Sequence, residues 1–355
     1  MAKVGMVVGA GIGGLTAAIA LRRAGWRPIV LERAERFEPV GAGISVFPHA
    51  VHCLRALGLA ERLATLPAMS EVGGLHTWQG DRLTSVEVGL PLVVHRAALH
   101  ELLLGALSAD DVRLGAEVAG FEQDADGVTV RLADGRTERG DLLVGADGLR
   151  STIRASVIGD GAPRYAGYLA WRGTAEFDAA ELPVGESWGP GALFGVLPLA
   201  CGSVYWFGTK RAMADGRDTP ERRKAEALAT FADWHPSIPA LIAATPAEAI
   251  LRNDVCDRRP RRGWSRGRVT LLGDAAHPMT PHLGQGACQA IVDAAVLGRC
   301  LSEADPLGRY ERLRYGRTAR FVRASRLVGR VAQARNPLVS AGRDAVLRLV
   351  SRVSG

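Results

Sequence analysis

The first 32 residues carry the pattern that most restricts the fold of this chain. A short apolar run, Val4 to Val8, predicts a strand, and GAGIGG follows it directly and opens a helix rich in small residues. In such a turn the first glycine permits the tight bend, the second admits a pyrophosphate against the backbone, and the third lets helix and strand pack closely. The order of strand, glycine turn and helix therefore predicts a Rossmann-like dinucleotide-binding unit.

A second strand, Pro28 to Leu31, ends in the acidic residue Glu32. A carboxylate at this position suits two hydrogen bonds to ribose hydroxyls and disfavours a 2′-phosphate. The dinucleotide held here is therefore predicted to be FAD or NAD rather than NADP.

A second constraining region runs from Gly273 to Ala294 and follows the apolar run VTLL. Asp274 stands at the end of this predicted strand, and a loop with two prolines and two glycines then leads into a helix that begins at about Gly286. The N-terminus of a helix presents unpaired N–H groups and a partial positive charge. A flat ligand that becomes anionic, such as a reduced flavin, would be stabilised there.

The segment DLLVGADGLRSTIR, residues 141–154, delivers Asp147 and Gly148 at the carboxyl end of an apolar strand, the edge at which open α/β sheets bind ligands. Arg150 and Arg154 supply positive charge suited to a pyrophosphate. An aspartate that merely caps the next helix is the alternative interpretation.

These three segments, in the order in which they follow one another along the chain, resemble those of the FAD-dependent aromatic hydroxylases, the p-hydroxybenzoate hydroxylase-like monooxygenases. The resemblance implies an α/β fold: a Rossmann-like, glutathione reductase-like FAD-binding domain in three discontinuous segments, a mixed or antiparallel β-sheet substrate domain, and C-terminal helices. It implies the FAD-binding domain at residues 1–70, 96–160 and 262–305, the substrate domain at 71–95 and 161–261, and the helices at 306–355.

The same resemblance implies roles for individual residues. The aspartate of the GD pair binds the ribityl chain and the later proline lies beside the isoalloxazine ring, which here implies Asp274 and Pro281. Ser45 lies in a segment similar to one that runs along the FAD, Arg96 is expected to face the anionic cofactor, and Val118 ends a segment placed over the adenine. The predicted cofactor-binding residues are Gly9, Gly11, Gly13, Gly14, Glu32, Arg33, Ser45, Arg96, Val118, Asp147, Asp274, Gly284, Gly286 and Ala287.

The reaction implied by the resemblance is that of a single-component monooxygenase with non-covalent FAD, NAD(P)H as a transient co-substrate and O2 as oxidant. A flavin C4a-hydroperoxide would hydroxylate an aromatic or heteroaromatic small molecule. A dehydrogenase with a bound flavin would normally carry a second dinucleotide fingerprint, and only one is present. An epoxidase or heteroatom oxygenase, a flavin halogenase or reductase, and a non-oxygenating FAD-binding redox protein are the alternatives.

Strands rich in aromatic residues between about residues 162 and 261 predict the sheet of the substrate domain. On one of them Tyr205 and Phe207 share a face and Trp206 takes the other. Arg172, within an apolar strand, requires an anionic partner, either an acidic substrate or a carboxylate such as Glu176. The predicted catalytic and substrate-contacting residues are Pro281, His282, Arg172, Tyr205 and His49; surface positions are the alternative for the two histidines.

Composition limits the remaining possibilities. A 355-residue chain with 47% hydrophobic and 23% charged residues is expected to be globular and two-lobed, without a membrane span, and to act in the cytoplasm as a monomer or homodimer. The net charge of +7 is spread over scattered arginines, so no nucleic-acid partner is predicted. A dense run of arginines from Arg309 to Arg330 favours a solvated helix face over a polyanion site. The five cysteines lack metal-ligand spacing, so no metal is predicted.

Overall fold

The structure, a computed structural model, describes residues 2–38, 43–69, 73–85, 91–214 and 218–354. The strands are β1 (Val4–Val8), β2 (Arg27–Leu31), β3 (Gly43–Val46), β4 (Ala68–Met69), β5 (Gly74–Thr77), β6 (Arg82–Ser85), β7 (Leu92–His95), β8 (Val112–Arg113), β9 (Val118–Gln123), β10 (Val128–Leu132), β11 (Thr137–Gly140), β12 (Leu142–Gly145), β13 (Arg164–Glu176), β14 (Gly185–Gly189), β15 (Ala192–Pro198), β16 (Ser203–Arg211), β17 (Leu251–Asp257), β18 (Ser265–Arg266) and β19 (Val269–Leu271). The α-helices are α1 (Ile12–Arg23), α2 (Pro48–Leu54), α3 (Ala60–Ala64), α4 (Arg96–Leu104), α5 (Thr152–Val157), α6 (Pro220–Phe231), α7 (Ser237–Ala244), α8 (Gly286–Cys300), α9 (Pro306–Ala332) and α10 (Pro337–Ser354).

A six-stranded sheet in the order β18-β19-β12-β1-β2-β8 forms the nucleotide-binding half. Five of its strands, from β19 to β8, run parallel, and β18 pairs antiparallel at the edge. Its central strands are apolar on both faces, as expected for a parallel sheet covered on both sides. Helices α1 and α8 pack together on one face, and the three-stranded sheet β11-β10-β9 covers part of the other.

A seven-stranded mixed sheet, ordered β17-β13-β16-β15-β14-β5-β6, forms the second half. Trp206 lies on the face covered by α6 and α7, where its ring stacks on Phe194 and its indole N–H donates to Thr245. Tyr205 and Phe207 lie on the opposite face, as the alternation predicted. Tyr205 packs there with Val93 of β7, so this face is turned towards the nucleotide-binding half.

A third small sheet, β3-β7-β4, joins residues 43–46, 68–69 and 92–95. The segment 71–95, predicted to belong to the substrate domain, therefore divides between two sheets: β5 and β6 extend the seven-stranded sheet, whereas β7 pairs with β3 and β4. The domain boundaries stay a prediction.

The C-terminal part is helical, and the break predicted at Asn336-Pro337 separates α9 from α10. The long helix α9 packs on α8 and on the turn at Pro281–Leu283. Within the described ranges, the search for a helix long and apolar enough to cross a membrane found none.

Candidate active site

An open cleft of about 770 Å³ lies where β1 and β2 end. Ala10 and Gly11 line it after β1, and Glu32 and the residues that follow line it after β2. Helix α4 closes the other side with Arg96 and His100. The cleft therefore lies at the carboxyl edge of a parallel sheet, where a dinucleotide is expected.

The four glycines of the GAGIGG turn have different reasons to be glycine. Gly9 has φ +99°, and a Cβ there would lie 2.6 Å from the carbonyl oxygen of Ala146. A Cβ on Gly13 would lie 2.9 Å from Leu272, and one on Gly14 would overlap the carbonyl of Gly9. Gly11 has φ −72°, and a Cβ there would have no atom within 4 Å. The fold therefore requires three of the glycines, whereas Gly11 leaves open space above the N-terminus of α1.

Glu32 already accepts two backbone hydrogen bonds, from Ala10 N at 2.7 Å and from Ala34 N at 3.0 Å. These bonds hold the two cleft-lining loops in register and orient the carboxylate. His100, which the sequence prediction omitted, bonds the carbonyl of Ala10 through Nε2 at 2.8 Å. The helical spacing from Arg96 to His100 places both on one face of α4, a signal that could have identified it.

Three charged side chains interact in the continuation of the cleft: Arg96, Arg172 and Asp274. Burial and the neighbouring charge of Arg172 lower the pKa of Arg96, and Asp274 opposes this shift. Desolvation raises the pKa of Asp274. The neighbouring charges of His277 and Arg96 oppose this rise. Neither Asp274 nor Arg172 has a hydrogen-bond or ion-pair partner within the described residues.

Asp147 does cap a helix, since one of its carboxylate oxygens, Oδ2, accepts from Thr152 N at 2.7 Å and Ile153 N at 3.3 Å. Its Oδ1 is buried without a partner. Burial raises the pKa of Asp147, and hydrogen bonds from Ser151 and the helix backbone oppose the rise. Capping by Oδ2 leaves Oδ1 available for a ligand, so the capping and cofactor roles are compatible.

Arg154 corrects the expectation that it supplies charge to a pyrophosphate. Its guanidinium is 1% exposed, pairs with Asp160 at 2.5 Å and donates to the carbonyls of Ala275 and Ala276 at 2.9 and 2.7 Å. These bonds tie α5 to the turn that carries Asp274. Arg154 is therefore a structural link between two of the predicted motifs.

A buried polar network, which the sequence prediction missed, holds the turn at Gly273–Ala275 through hydrogen bonds to Gly273 and His277. Asp293 of α8 is fully buried. Its Oδ2 lies 2.5 Å from His277 Nε2 and accepts a hydrogen bond from Gly273 N at 3.0 Å. Its Oδ1 accepts a hydrogen bond from Arg314 Nε at 2.6 Å. Burial alone would raise the pKa of Asp293, but His277 and Arg314 lower it below its usual value. Arg314 also donates to Gln289 at 2.7 Å. A charged residue within the otherwise apolar register of α8 was the available sequence signal.

The segment from Pro281 to Ala287 follows the turn that carries Asp274 and leads into α8. Gly284 has φ +61°, and a Cβ there would touch the ring of Phe47 at 3.4 Å. On Gly286, the first residue of α8, a Cβ would meet only Asp274 Oδ1 at 3.9 Å. Pro281 is exposed and Ala287 is half-buried. Gly284 is therefore required by the backbone, whereas Gly286 keeps the space beside Asp274 open.

His282 does not face solvent. Its Nε2 lies 2.8 Å from the hydroxyl of Tyr168, and it packs against Gly329 of α9. Burial lowers the pKa of His282 to about 4 and raises that of Tyr168 above its ordinary range. Both groups are therefore neutral at pH 7, and the pair fixes the turn at Pro281–Leu283 to β13.

The remaining predicted residues occupy three environments. Tyr205 is 6% exposed, and its ring lies against Gly43. His49 is exposed, lies 3.4 Å from Gln289 Nε2, and has its pKa lowered mainly by desolvation. Ser45 is half-buried, and its backbone carbonyl accepts a hydrogen bond from the thiol of Cys288. Val118 packs in the core. Arg33 is exposed and does not line the cleft. Part of the GAGISVFPHA segment, Gly41 and Ala42, lies outside the described residues.

Comparison with known proteins agrees with this geometry. The family model for the FAD binding domain matches residues 1–306. The aurachin C monooxygenase/isomerase of Stigmatella aurantiaca is 44% identical over 98% of this chain and 94% of that protein. The 6-hydroxynicotinate 3-monooxygenase of Bordetella bronchiseptica is 33% identical over 90% of this chain and 88% of that protein. The structure of Klebsiella pneumoniae HpxO complexed with FAD and uric acid superimposes with a TM-score of 0.91 at 32% identity, covering 98% and 92% of the two chains.

The fold and cleft define a dinucleotide-dependent flavoprotein. The chain belongs to the FAD-binding-domain family of the aromatic hydroxylases, and it is an FAD-dependent monooxygenase. The predicted family, fold class, cofactor and enzyme class are confirmed, and NAD(P)H is the typical co-substrate of the family.

The residues of the cleft fit FAD. The open space at Gly11 admits a diphosphate at the N-terminus of α1, where backbone N–H groups stabilise anions. Within the described residues, Asp147 Oδ1 is buried without a partner and no hydrogen bond reaches the carboxylate of Asp274, so both can accept from ribose and ribityl hydroxyls. The individual contacts of the predicted cofactor residues stay a prediction.

His282 gives a pH-dependent prediction. Because its pKa falls from 6.5 to about 4 on folding, the unfolded chain binds a proton between these values that the folded protein does not. Stability should be complete above pH 6.5 and fall as the pH drops to 4, by roughly 2–3 kcal/mol in the free energy of unfolding. In the His282→Gln variant, this fall in the free energy of unfolding between pH 6.5 and 4 should be absent. Urea unfolding of both proteins at several pH values measures it, and parallel curves would contradict the assignment.

Proposed function

We propose that this monooxygenase hydroxylates an aromatic or heteroaromatic small molecule that carries an acidic group, with NAD(P)H as reductant and O2 as oxidant. The observation that carries the substrate class is Arg172. It lies beside Arg96 and Tyr205 yet has no ion-pair partner within the described residues. Glu176 shares its face of β13, but four residues along a strand separate the two by roughly 13 Å, too far for an ion pair. A partly buried cation requires an anion, and a substrate acid would provide it.

The relatives support this class. Three of the proteins similar to this chain are named for urate, for 3-amino-4-hydroxybenzoate and for 6-hydroxynicotinate, all of which are ring compounds with an acidic group. Tyr205 is a neutral hydrogen-bond donor beside Arg172, because burial raises its pKa. We therefore assign Arg172 to bind the acidic group and Tyr205 to orient the ring.

The protein contributes positioning, electrostatics and exclusion of water, and bound FAD supplies the reductive activation of O2. The carboxylate of Asp274 would accept hydrogen bonds from the ribityl chain, and the N-terminus of α8 would stabilise negative charge that develops on the bound cofactor. The exposed face of Pro281 would lie against the ring system. His282 holds this turn through Tyr168, so we assign it a positioning role in place of direct proton transfer. His49, which is exposed and lies next to Gln289, would contact the substrate. We also propose a cytoplasmic monomer or homodimer.

The function is tested with the FAD-loaded protein, both nicotinamide cofactors and a panel of ring acids with matched neutral compounds. We expect a ring acid to accelerate NAD(P)H oxidation, and 18O2 to place one labelled atom in the product. If the label came from water, or if every accelerating compound gave only peroxide, hydroxylation would be excluded.

Arg172→Met tests the substrate class. Loss of a charge-assisted hydrogen bond worth about 1.5–3 kcal/mol should raise KM for the acidic substrate about tenfold to a hundredfold. FAD content and the KM of a neutral ring substrate should not change. An equal effect on acidic and neutral substrates would indicate a structural role for Arg172.

An epoxidase or heteroatom oxygenase is the second candidate. The specific observation in its favour is the 44% identical relative named as a monooxygenase/isomerase. Product analysis separates the two functions, since epoxidation or rearrangement gives a product without a new ring hydroxyl.

A further inference from the structure

Six arginines line a groove formed by the start of β13, the end of β16, the loop after β17 and the helix α9. Two adjoining cavities of about 230 and 400 Å³ share Arg326 and Arg330 and together form this groove. The arginine groove is lined by Arg164, Arg211, Arg259, Arg323, Arg326 and Arg330.

The charge of the arginine groove is not balanced. Asp257, which is fully buried, is the one carboxylate that pairs with its arginines among the described residues, and it accepts from both Arg164 and Arg326. Arg259, Arg323 and Arg330 have no ion pair within the same ranges, and Arg326 Nε is buried without a partner. Like charges held this close repel one another. The arrangement is therefore poised for an anion with several charges.

A solvated helix face does not explain this convergence. Arg323 and Arg330 are exposed, as Arg320 is on the same helix outside the groove, but they line a cavity together with arginines of other elements. Here residues from four separate elements line one concavity. The predicted solvated face agrees with these exposures, and the shared concavity is the observation that favours an anion site over the part of α9 from Arg323 to Arg330.

The groove ends next to the candidate active site. Its inner part is lined by Tyr168 and Thr280, and Tyr168 bonds His282 directly after Pro281. A ligand with phosphates on the arginines would therefore extend towards the turn that we place beside the flavin. This is the direction from which a reducing co-substrate must approach.

We propose that the arginine groove binds the diphosphate of NAD(P)H, an inference that rests on the proposed monooxygenase function. The joined cavities have the size of small-molecule sites, and arginine matches the geometry of phosphate oxygens. The nucleotide-binding cleft at Gly11 is reserved for FAD, so the co-substrate requires a second anionic subsite.

The test uses the FAD-loaded protein and the double variant Arg323→Gln/Arg330→Gln. We expect KM for NADH and NADPH to rise at least about tenfold, the scale of a lost charge-assisted hydrogen bond, while kcat and the substrate KM stay within about twofold. Inhibition by ADP, competitive with NAD(P)H, should weaken to the same degree. The matched control, Arg309→Gln/Arg320→Gln, removes two charges from α9 outside the groove and should behave as the wild type.

Unchanged KM values in the groove variant, or equal rises in the control variant, would overturn the proposal. Inorganic phosphate separates a general anion site from a nucleotide site: inhibition as strong as that by ADP would also overturn it. If the wild type oxidised no NAD(P)H, the proposed function itself would fail. Calorimetric binding of ADP to the FAD-loaded wild type and groove variant would then decide on the groove alone.

Discussion

Replacement of Gly11 by valine is expected to abolish tight binding of FAD while the apoprotein remains folded. A Cβ at this position enters open cleft space and meets no atom of the described residues within 4 Å. It would exclude the diphosphate from the N-terminus of α1, and the loss of two charge-assisted hydrogen bonds amounts to at least about 3 kcal/mol, or more than about a hundredfold in Kd. Fluorescence titration of the apoprotein with FAD measures this change.

Two further glycine variants make the result specific. Gly316→Val places the same side chain on an exposed helix position that is equally free of neighbours, and it should leave FAD affinity unchanged. Gly14→Val should prevent folding, because its Cβ overlaps the Gly9 carbonyl. The Gly11 variant should lose under about 1 kcal/mol of stability, the scale of an altered N-cap. Normal FAD affinity in the Gly11 variant would show that no phosphate approaches this residue.

Asp293→Ala is expected to lower stability strongly, by about 3–5 kcal/mol in the free energy of unfolding. The substitution leaves Arg314, only 2% exposed, without its counter-ion and leaves Gly273 N without its acceptor. A typical domain has only about 5–15 kcal/mol in total, so the variant should unfold at much lower denaturant concentration. FAD affinity should also fall, because Gly273 precedes Asp274 in the supported turn.

The control for this variant is Glu303→Ala, which removes an exposed pair with Arg309 at 3.9 Å and should cost under about 1 kcal/mol. The double variant Asp293→Ala/Arg314→Met removes the orphaned charge together with its partner and should recover part of the lost stability. A loss from Asp293→Ala no larger than that from Glu303→Ala would show that the network does not hold the turn.

Local patterns account for the parts of the fold that could be predicted. The strand, glycine turn and helix at the N-terminus, the Asp-Gly pair at Asp147 and the loop that begins at Asp274 are each specified by residues close together in sequence. Backbone conformation and periodicity act over such short distances, so Val4–Val8 and the start of α8 at Gly286 agree with their predictions. Helix ends are set by capping and packing, and α1 accordingly begins at Ile12, within the glycine turn itself.

The sequence predicted individual residues of the candidate site, each from its own segment, but not the interactions between residues of different segments. Asp274, Arg96 and Arg172 could be named individually, but their mutual electrostatic interaction arises because β13, α4 and the turn at Gly273–Ala275 meet in space. His100 and Asp293 were missed for the same reason. A histidine on a helix face and an aspartate in an apolar register have no defined role until their partners from other elements are known.

The sequence by itself determined the family, the cofactor and the order of the binding motifs, because each depends on short-range stereochemistry that few residue combinations satisfy. The tertiary structure alone decided which charges are neutralised. It pairs Arg154 with Asp160 and two carbonyls, pairs Arg314 with Asp293, and leaves Arg172 and the arginine groove without sufficient counter-charge among the described residues. The physical reason is that ion pairing depends on the distance between side chains brought together from remote segments, which sequence spacing does not specify.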